Sequence, residues 1–239
     1  MKVTVIPLRK ELEFLLELYP PLPAREVLPK WYKEGKLGTL SGSVLGTDNP
    51  KTAKKCPAIQ DIITTDLVIP LWGVLAFRTD YNDDGRITKQ YWNITSSRAS
   101  GEPLDLHLGR HPISQTNGMD IGRNMDLDVL KIQCPYKFIV EDGYSVYYSD
   151  PFYHFRKDIQ FLPGIVEVDK WGSVAFPFSI HQDNFVIKPG TPIVHAHFYK
   201  RTNTKIELDI RPGTEQEYEE NSNQVKKLTL TESSYKKLF

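Results

Sequence analysis

Between Asp128 and Lys200 the chain is cut into short apolar runs by glycine, proline, aspartate and asparagine. The runs Asp128 to Gln133, Lys137 to Val140, Tyr144 to Tyr148, Gly164 to Val168, Gly172 to Ile180 and Pro192 to Lys200 each read as a strand. Many short strands at this spacing predict a mainly β fold, an antiparallel β-sandwich, a jelly-roll or a closed barrel. Alternation along the runs puts Val166, Val168, Val174, Phe176, Ile193 and Phe198 on buried faces.

Upstream, Lys2 to Leu8 alternates like a short strand, and Leu12, Leu15, Leu16 and Tyr19 recur at helical spacing. That helix stops at Pro20 and Pro21. With Pro23 and Pro29 following, residues 20 to 29 should run extended over the surface as a strap, ending on the aromatic anchor Trp31-Tyr32. Gly38 to Lys55 is a polar stretch of little apolar periodicity, expected to be disordered or to cover a ligand. Ile59 onward reads as a buried helix or turn leading into a core strand, Leu67 to Trp72. Val74 to Arg78 and Ile87 to Trp92 flank Asp84-Gly85, a hairpin turn signal. The expected organisation is an N-terminal strand, helix and strap over 1–55, a β-rich core domain over 56–210, and a charged, weakly helical tail over 211–239.

A chain of 239 residues buries a core without disulfides. Lys plus Arg equals Asp plus Glu at 30 each, so there is no net positive field to gather phosphates, and nucleic acid is not an expected partner. Cys56 and Cys134 read as half-buried free thiols. Met1 to Leu8 is broken by Pro7 and then charged, which fits neither a signal peptide nor a membrane span.

Several clusters carry potential chemistry. Asp80, Asn82 and Asp84, followed by Gly85, copy the first half of a calcium loop, but Tyr91 stands where a bidentate glutamate closes the shell, so a polar hairpin tip is expected. His195 and His197 share one face of a strand, and His181 and Asp183 imitate a metal-ligand pair. The carboxylate that should follow the second histidine is missing, and no cofactor or metal is expected. Glu141-Asp142 and Glu217 with Glu219-Glu220 read as solvated faces. Glu167 and Asp169, by contrast, fall on one side of a strand running into Lys170-Trp171-Gly172, and suggest a polar pocket beside an indole. No nucleophile elbow, phosphate loop or dinucleotide fingerprint occurs in the sequence.

In motif order, Gly143 to Ser149, Gly164 to Gly172 and Ile187 to His195 resemble the core of the trimeric deoxyuridine triphosphatase (dUTPase) and deoxycytidine triphosphate deaminase superfamily. The resemblance implies a β-clip-like core. It would put Glu167 where that superfamily has its water-activating aspartate, Trp171 one position from the sugar-packing tyrosine, and His195 in place of a glutamine. Ser149 and Tyr148 would then border the ligand. Its serine-arginine phosphate grip is here Ser149-Asp150-Pro151, a carboxylate where a triphosphate must sit. Any ligand at Glu167, Asp169 and Trp171 is therefore expected to be neutral or cationic, or a protein side chain.

Over its whole length the chain resembles a family, with no established activity, common in T4-like marine phages and some bacteria. The carrying residues are Pro23-Ala24, Leu28 to Tyr32, Lys54 to Ala58, Val68 to Trp72 and Leu162 to Val166. The resemblance implies residence in the infected host's cytoplasm or in the virion. The expected function is a non-catalytic β-domain, a virion component or binding protein, with a protein partner or self-association. A nucleotide-acting enzyme and a metal-dependent jelly-roll oxygenase or isomerase are the alternatives.

Overall fold

The computed structural model describes residues 1–34, 56–95, 107–116, 118–119, 129–202 and 205–230. The chain divides into two compact units. One holds Met1–Gly35 and Ile62–Arg201, the other Lys36–Asp61 and Thr202–Phe239.

In chain order the elements are β1 (Thr4–Pro7), α1 (Phe14–Leu18), β2 (Leu22–Pro23), α2 (Lys30–Glu34), α3 (Pro57–Thr64), β3 (Leu67–Pro70), β4 (Val74–Tyr81), β5 (Ile87–Thr95), β6 (Leu108–Arg110) and α4 (Ile113–Thr116). They continue with β7 (Val129–Gln133), β8 (Tyr136–Ile139), β9 (Tyr144–Ser149), β10 (Ile159–Phe161), β11 (Gly164–Val166), β12 (Ala175–Ile180), β13 (Asn184–Ile187), β14 (Pro192–Lys200) and α5 (Glu215–Leu230). The fold is mainly β, as expected, and every strand pair described is antiparallel. The sheets run β1-β8, β10-β12-β7-β6, β11-β9-β14-β3-β2 and β13-β4-β5.

Apolar alternation explains the core. Val68, Ile69, Val146, Tyr148, Ile193, Val194, Ala196 and Phe198 of the five-stranded sheet are buried, with Ile132, Phe176, Phe178 and Ile180 of the four-stranded sheet. Tyr148 packs on Phe176 at 5.1 Å between ring centroids. Of the expected core residues, Val168, Phe176, Ile193 and Phe198 are buried, and Val166 and Val174 pack partly buried against them. The strap lies on the same unit: β2 pairs with β3, and the Trp31 indole N–H donates to the Tyr153 carbonyl at 2.8 Å.

The β4–β5 hairpin turns at Asn82 to Gly85, with Gly85 in the left-handed region at φ 74°. The Asn82 side chain accepts the Arg86 N–H at 2.7 Å, and Arg78 grips Asp80 through two hydrogen bonds of 2.8 and 2.9 Å. Asp80 is thus turned along the strand towards a guanidinium, and the tip uses its polar residues for turn geometry.

The second unit carries a segment without regular secondary structure, Lys205 to Ile210. Its apolar side chains alternate with charged ones, and Ile206, Leu208 and Ile210 are 94%, 76% and 83% exposed. The tail then forms α5. Thr214 and Glu217 cap it reciprocally, with the Glu217 N–H donating to Thr214 Oγ1 at 3.3 Å and the Thr214 N–H to Glu217 Oε2 at 2.7 Å. The Gly38 to Lys55 stretch lies outside the described residues. Among those described, no helix is long and apolar enough to cross a membrane.

Candidate functional site

The strand expected over Gly164 to Val168 stops at Val166, because residues 167 to 171 form a turn in which the Lys170 and Trp171 N–H groups both donate to the Glu167 carbonyl. This corrects the expectation that Glu167 and Asp169 share one side of a strand. Glu167 pairs with Lys170 at 2.5 Å, and that hydrogen bond holds its carboxyl below the ordinary range. Asp169 turns inward, its side chain only 5% exposed, and accepts from Gly143 N–H at 2.8 Å and from both terminal nitrogens of Arg201. The Arg201 bonds hold Asp169 well below the usual carboxylate range. Trp171 stands 66% exposed. Each pairing favours the ionised carboxylate and so lowers its basicity. The cluster is a clamp that ties the end of β14 to the start of β9.

The histidines also separate. His195, His197 and Tyr199 share one face of β14, opposite Val194, Ala196 and Phe198. His197 Nδ1 lies 2.5 Å from Asp66, while His195 is buried beneath the Phe152 ring at 4.6 Å between centroids. Burial lowers the His195 pKa to about 4 against the pull of Asp66, so its ring stays neutral at physiological pH. His181 bonds Ser179 Oγ at 2.9 Å, and Asp183 accepts the Tyr81 hydroxyl. Among the described residues no three histidine, cysteine or carboxylate side chains gather as metal ligands.

The register separates the residues carried over from the nucleotide-enzyme resemblance. His195 pairs with Ser149 at one end of β9, and Glu167 follows Val166, which pairs with Val146. The next ladder position beside Glu167 is Ser145, four residues from Ser149 or about 13 Å along the strand. Tyr148 belongs to the core, 4% exposed; burial raises its pKa, and its hydroxyl has no hydrogen-bond partner among the described residues.

At the Ser149 end the structure does form a site. A groove of about 690 Å³ is walled by Tyr147 and Ser149 of β9, by the loop from Asp150 to Lys157, by β10, and by Pro163 and His181. Asp150 accepts the Phe161 N–H at 3.1 Å, and burial pushes its carboxyl up to about 6. Arg156 moderates that shift but is turned onto Asp158, which it grips at 2.9 to 3.1 Å. Ser149 donates its hydroxyl to the Asp150 carbonyl at 3.0 Å.

The loop also concentrates backbone strain. Tyr153 and Phe155 adopt positive φ of 62° and 48°; Asp66, bonded to His197 on the same sheet, is at 65°. They are the non-glycine residues at positive φ among those described. Bulky side chains in this region cost about 1 to 2 kcal/mol each, and such strain gathers at functional sites. The distortion holds Phe155 outward, 71% exposed, beside Trp31 at 6.4 Å and Tyr153 at 5.8 Å. Of the groove residues, the sequence points to Ser149 as bordering a ligand, to His181 as half of an imitated metal-ligand pair, and to Asp150 as a carboxylate in place of a phosphate grip. The aromatic run Phe152-Tyr153-His154-Phe155 was the available signal for the rest.

No family model matches the chain, and no curated protein matches it in sequence.

Proposed function

We propose that this chain is a phage-encoded binding domain with no catalytic step of its own, a virion component or a protein acting on a host or phage partner. Its groove at the Ser149 end of β9 receives an apolar, uncharged segment of that partner protein. A β-clip-like or jelly-roll core belongs to the same reading.

The carrying observation is Phe155, a large aromatic held out on strained backbone at the groove's rim. Aromatic anchors dominate binding interfaces, and strain of this kind, held by the surrounding structure, clusters at ligand clamps. The neighbouring polar groups support binding over turnover. Ser149 is committed to a carbonyl, His195 lies under Phe152, and Glu167 and Asp169 are neutralised.

The test is selection of displayed peptides on the immobilised protein, with Phe155→Asp as counter-selection. Enriched peptides should bind the wild type and lose about 2 kcal/mol or more against the variant, whose melting curve should be unchanged. Peptides that bind both proteins equally count against the groove. Pyrophosphate release from a deoxynucleoside triphosphate with magnesium, abolished by Glu167→Gln, overturns the reading in favour of an enzyme.

A further inference from the structure

The three-stranded sheet ends on β13, whose outer side has no strand partner among the described residues. Proteins blunt such edges with proline, charge, a bulge or brevity. The other edge strands carry one of these devices. Pro7 and Pro23 end β1 and β2, Lys137 lies in β8, and β5 contains Lys89 and a bulge, while β6, β10 and β11 have three residues each. The strand β13, Asn184-Phe185-Val186-Ile187, holds no proline, charge or bulge within its four residues and pairs with β4 in unbroken register. Its Val186 is 66% exposed. Val186 also borders a second groove of about 690 Å³ over the sheet, lined with Ala76, Tyr91 and Asn93.

We propose that β13 is a self-association edge, pairing antiparallel with β13 of a second copy about a two-fold axis through Val186. A two-fold normal to the sheet keeps each face continuous, so paired residue numbers must share parity. Centring on Val186 places Val186 against Val186, Phe185 against Ile187, and Asn184 against Lys188 of the partner copy.

This register is self-complementary at every step. The exposed valines cover each other, an aromatic meets an aliphatic side chain twice, and each lysine faces an amide oxygen. Pro189 follows Lys188 directly and fixes the backbone where the pairing ends. A formal net charge of zero leaves no long-range repulsion between copies. The second copy is preferred to a foreign strand because this edge completes itself. Five paired residues from each copy bury less than the roughly 1,600 Å² of a standard interface, so the dimer dissociates in the micromolar range.

Sedimentation velocity across that range, joined to cysteine cross-linking in a Cys56→Ser background, tests the proposal. The wild type should pass from monomer to dimer. Val186→Lys should weaken the dimer about tenfold or more through like charges at the axis, with an unchanged melting curve because the side chain is exposed in the monomer. Val186→Cys should form an interchain disulfide on mild oxidation. Asn184→Cys should not, since its two copies lie about 13 Å apart, beyond disulfide reach. A wild type monomeric throughout, or no cross-link at position 186, overturns the proposal. So does a dimer that survives Val186→Lys but is lost in Leu208→Glu, which would assign the interface to the exposed segment Lys205 to Ile210.

Discussion

The two ends of strand β9 each lie beside a half-buried aspartate, and the two carboxylates behave in opposite ways. At the Tyr144 end, Asp169 accepts a backbone N–H and a two-pronged grip from Arg201, and is held ionised. At the Ser149 end, Asp150 accepts only the Phe161 N–H, while the nearest guanidinium is spent on Asp158, and its pKa rises to about 6. Burial raises both; a facing arginine decides the sign. One end of the strand is a structural clamp and the other a site with residual polarity.

The largest perturbation should erase the difference. Phe176 packs under Tyr148 between the two ends, and Phe176→Ala should cost about 3 to 5 kcal/mol in urea unfolding. Amide exchange at Gly143 and Phe161 should then accelerate together. Acceleration at one end alone would show that the ends open separately.

The next effect separates them. Asp169→Asn leaves the Arg201 guanidinium without its charge partner, and should lower the melting temperature at pH 7. Because the folded pKa is depressed, the wild-type advantage is complete above the ordinary aspartate value near 4. It disappears only as pH falls through the folded value, so the two melting curves should converge in strong acid.

Asp150→Asn should act with the opposite sign. Between about pH 4 and 6 the folded protein keeps a proton that the unfolded chain has lost, so Asp150 weakens stability as pH rises through that window and thereafter. Asparagine retains the bond from Phe161 N–H and should raise the melting temperature at pH 7, with no such gain at pH 4. A variant that is less stable at pH 7 would refute the assignment.

His195 opposes Asp150 over the same window. Its folded pKa of about 4 lies below the unfolded value near 6.5, so its contribution is lost as pH falls between them. Asp150 therefore offsets part of the acid loss from pH 6 to 4 that His195, with the half-buried His154 and His111, produces, and Asp150→Asn should steepen that loss. The smallest expected effect is Ser149→Ala, about 1 kcal/mol or less, for one hydroxyl bond to the Asp150 carbonyl.

Period-two alternation made β7, β8, β9, β12 and β14 legible in the sequence, since each has one face in the core. Strands β2, β6 and β10 have two or three residues, too few to establish a period, and β13 is set between the polar residues Gln182-Asp183 and Lys188-Pro189. Alternation also misled at one place. Val168 is buried although it lies in the turn after β11, so the apolar rhythm of Val166 and Val168 runs past the strand's end and carries Glu167 and Asp169 with it. The groove was hidden for a different reason. Asp150 is set by Phe161, and the aromatic loop by left-handed backbone at Tyr153 and Phe155, a conformation that local propensity disfavours and only tertiary contacts hold.

The burial of Cys134 gives the molecule an internal clock. Its thiol is wholly enclosed and pushed up to about 12, so a thiol reagent reaches it only when the core between β7 and β8 opens. Cys56 is only half-buried and should react first, marking the start of the record. With reagent dilute enough that closing outpaces labelling, the delay before Cys134 is modified measures the population of open molecules; in excess reagent it measures the opening rate. One protein sample, read by mass, would thus report how often its interior meets the solvent.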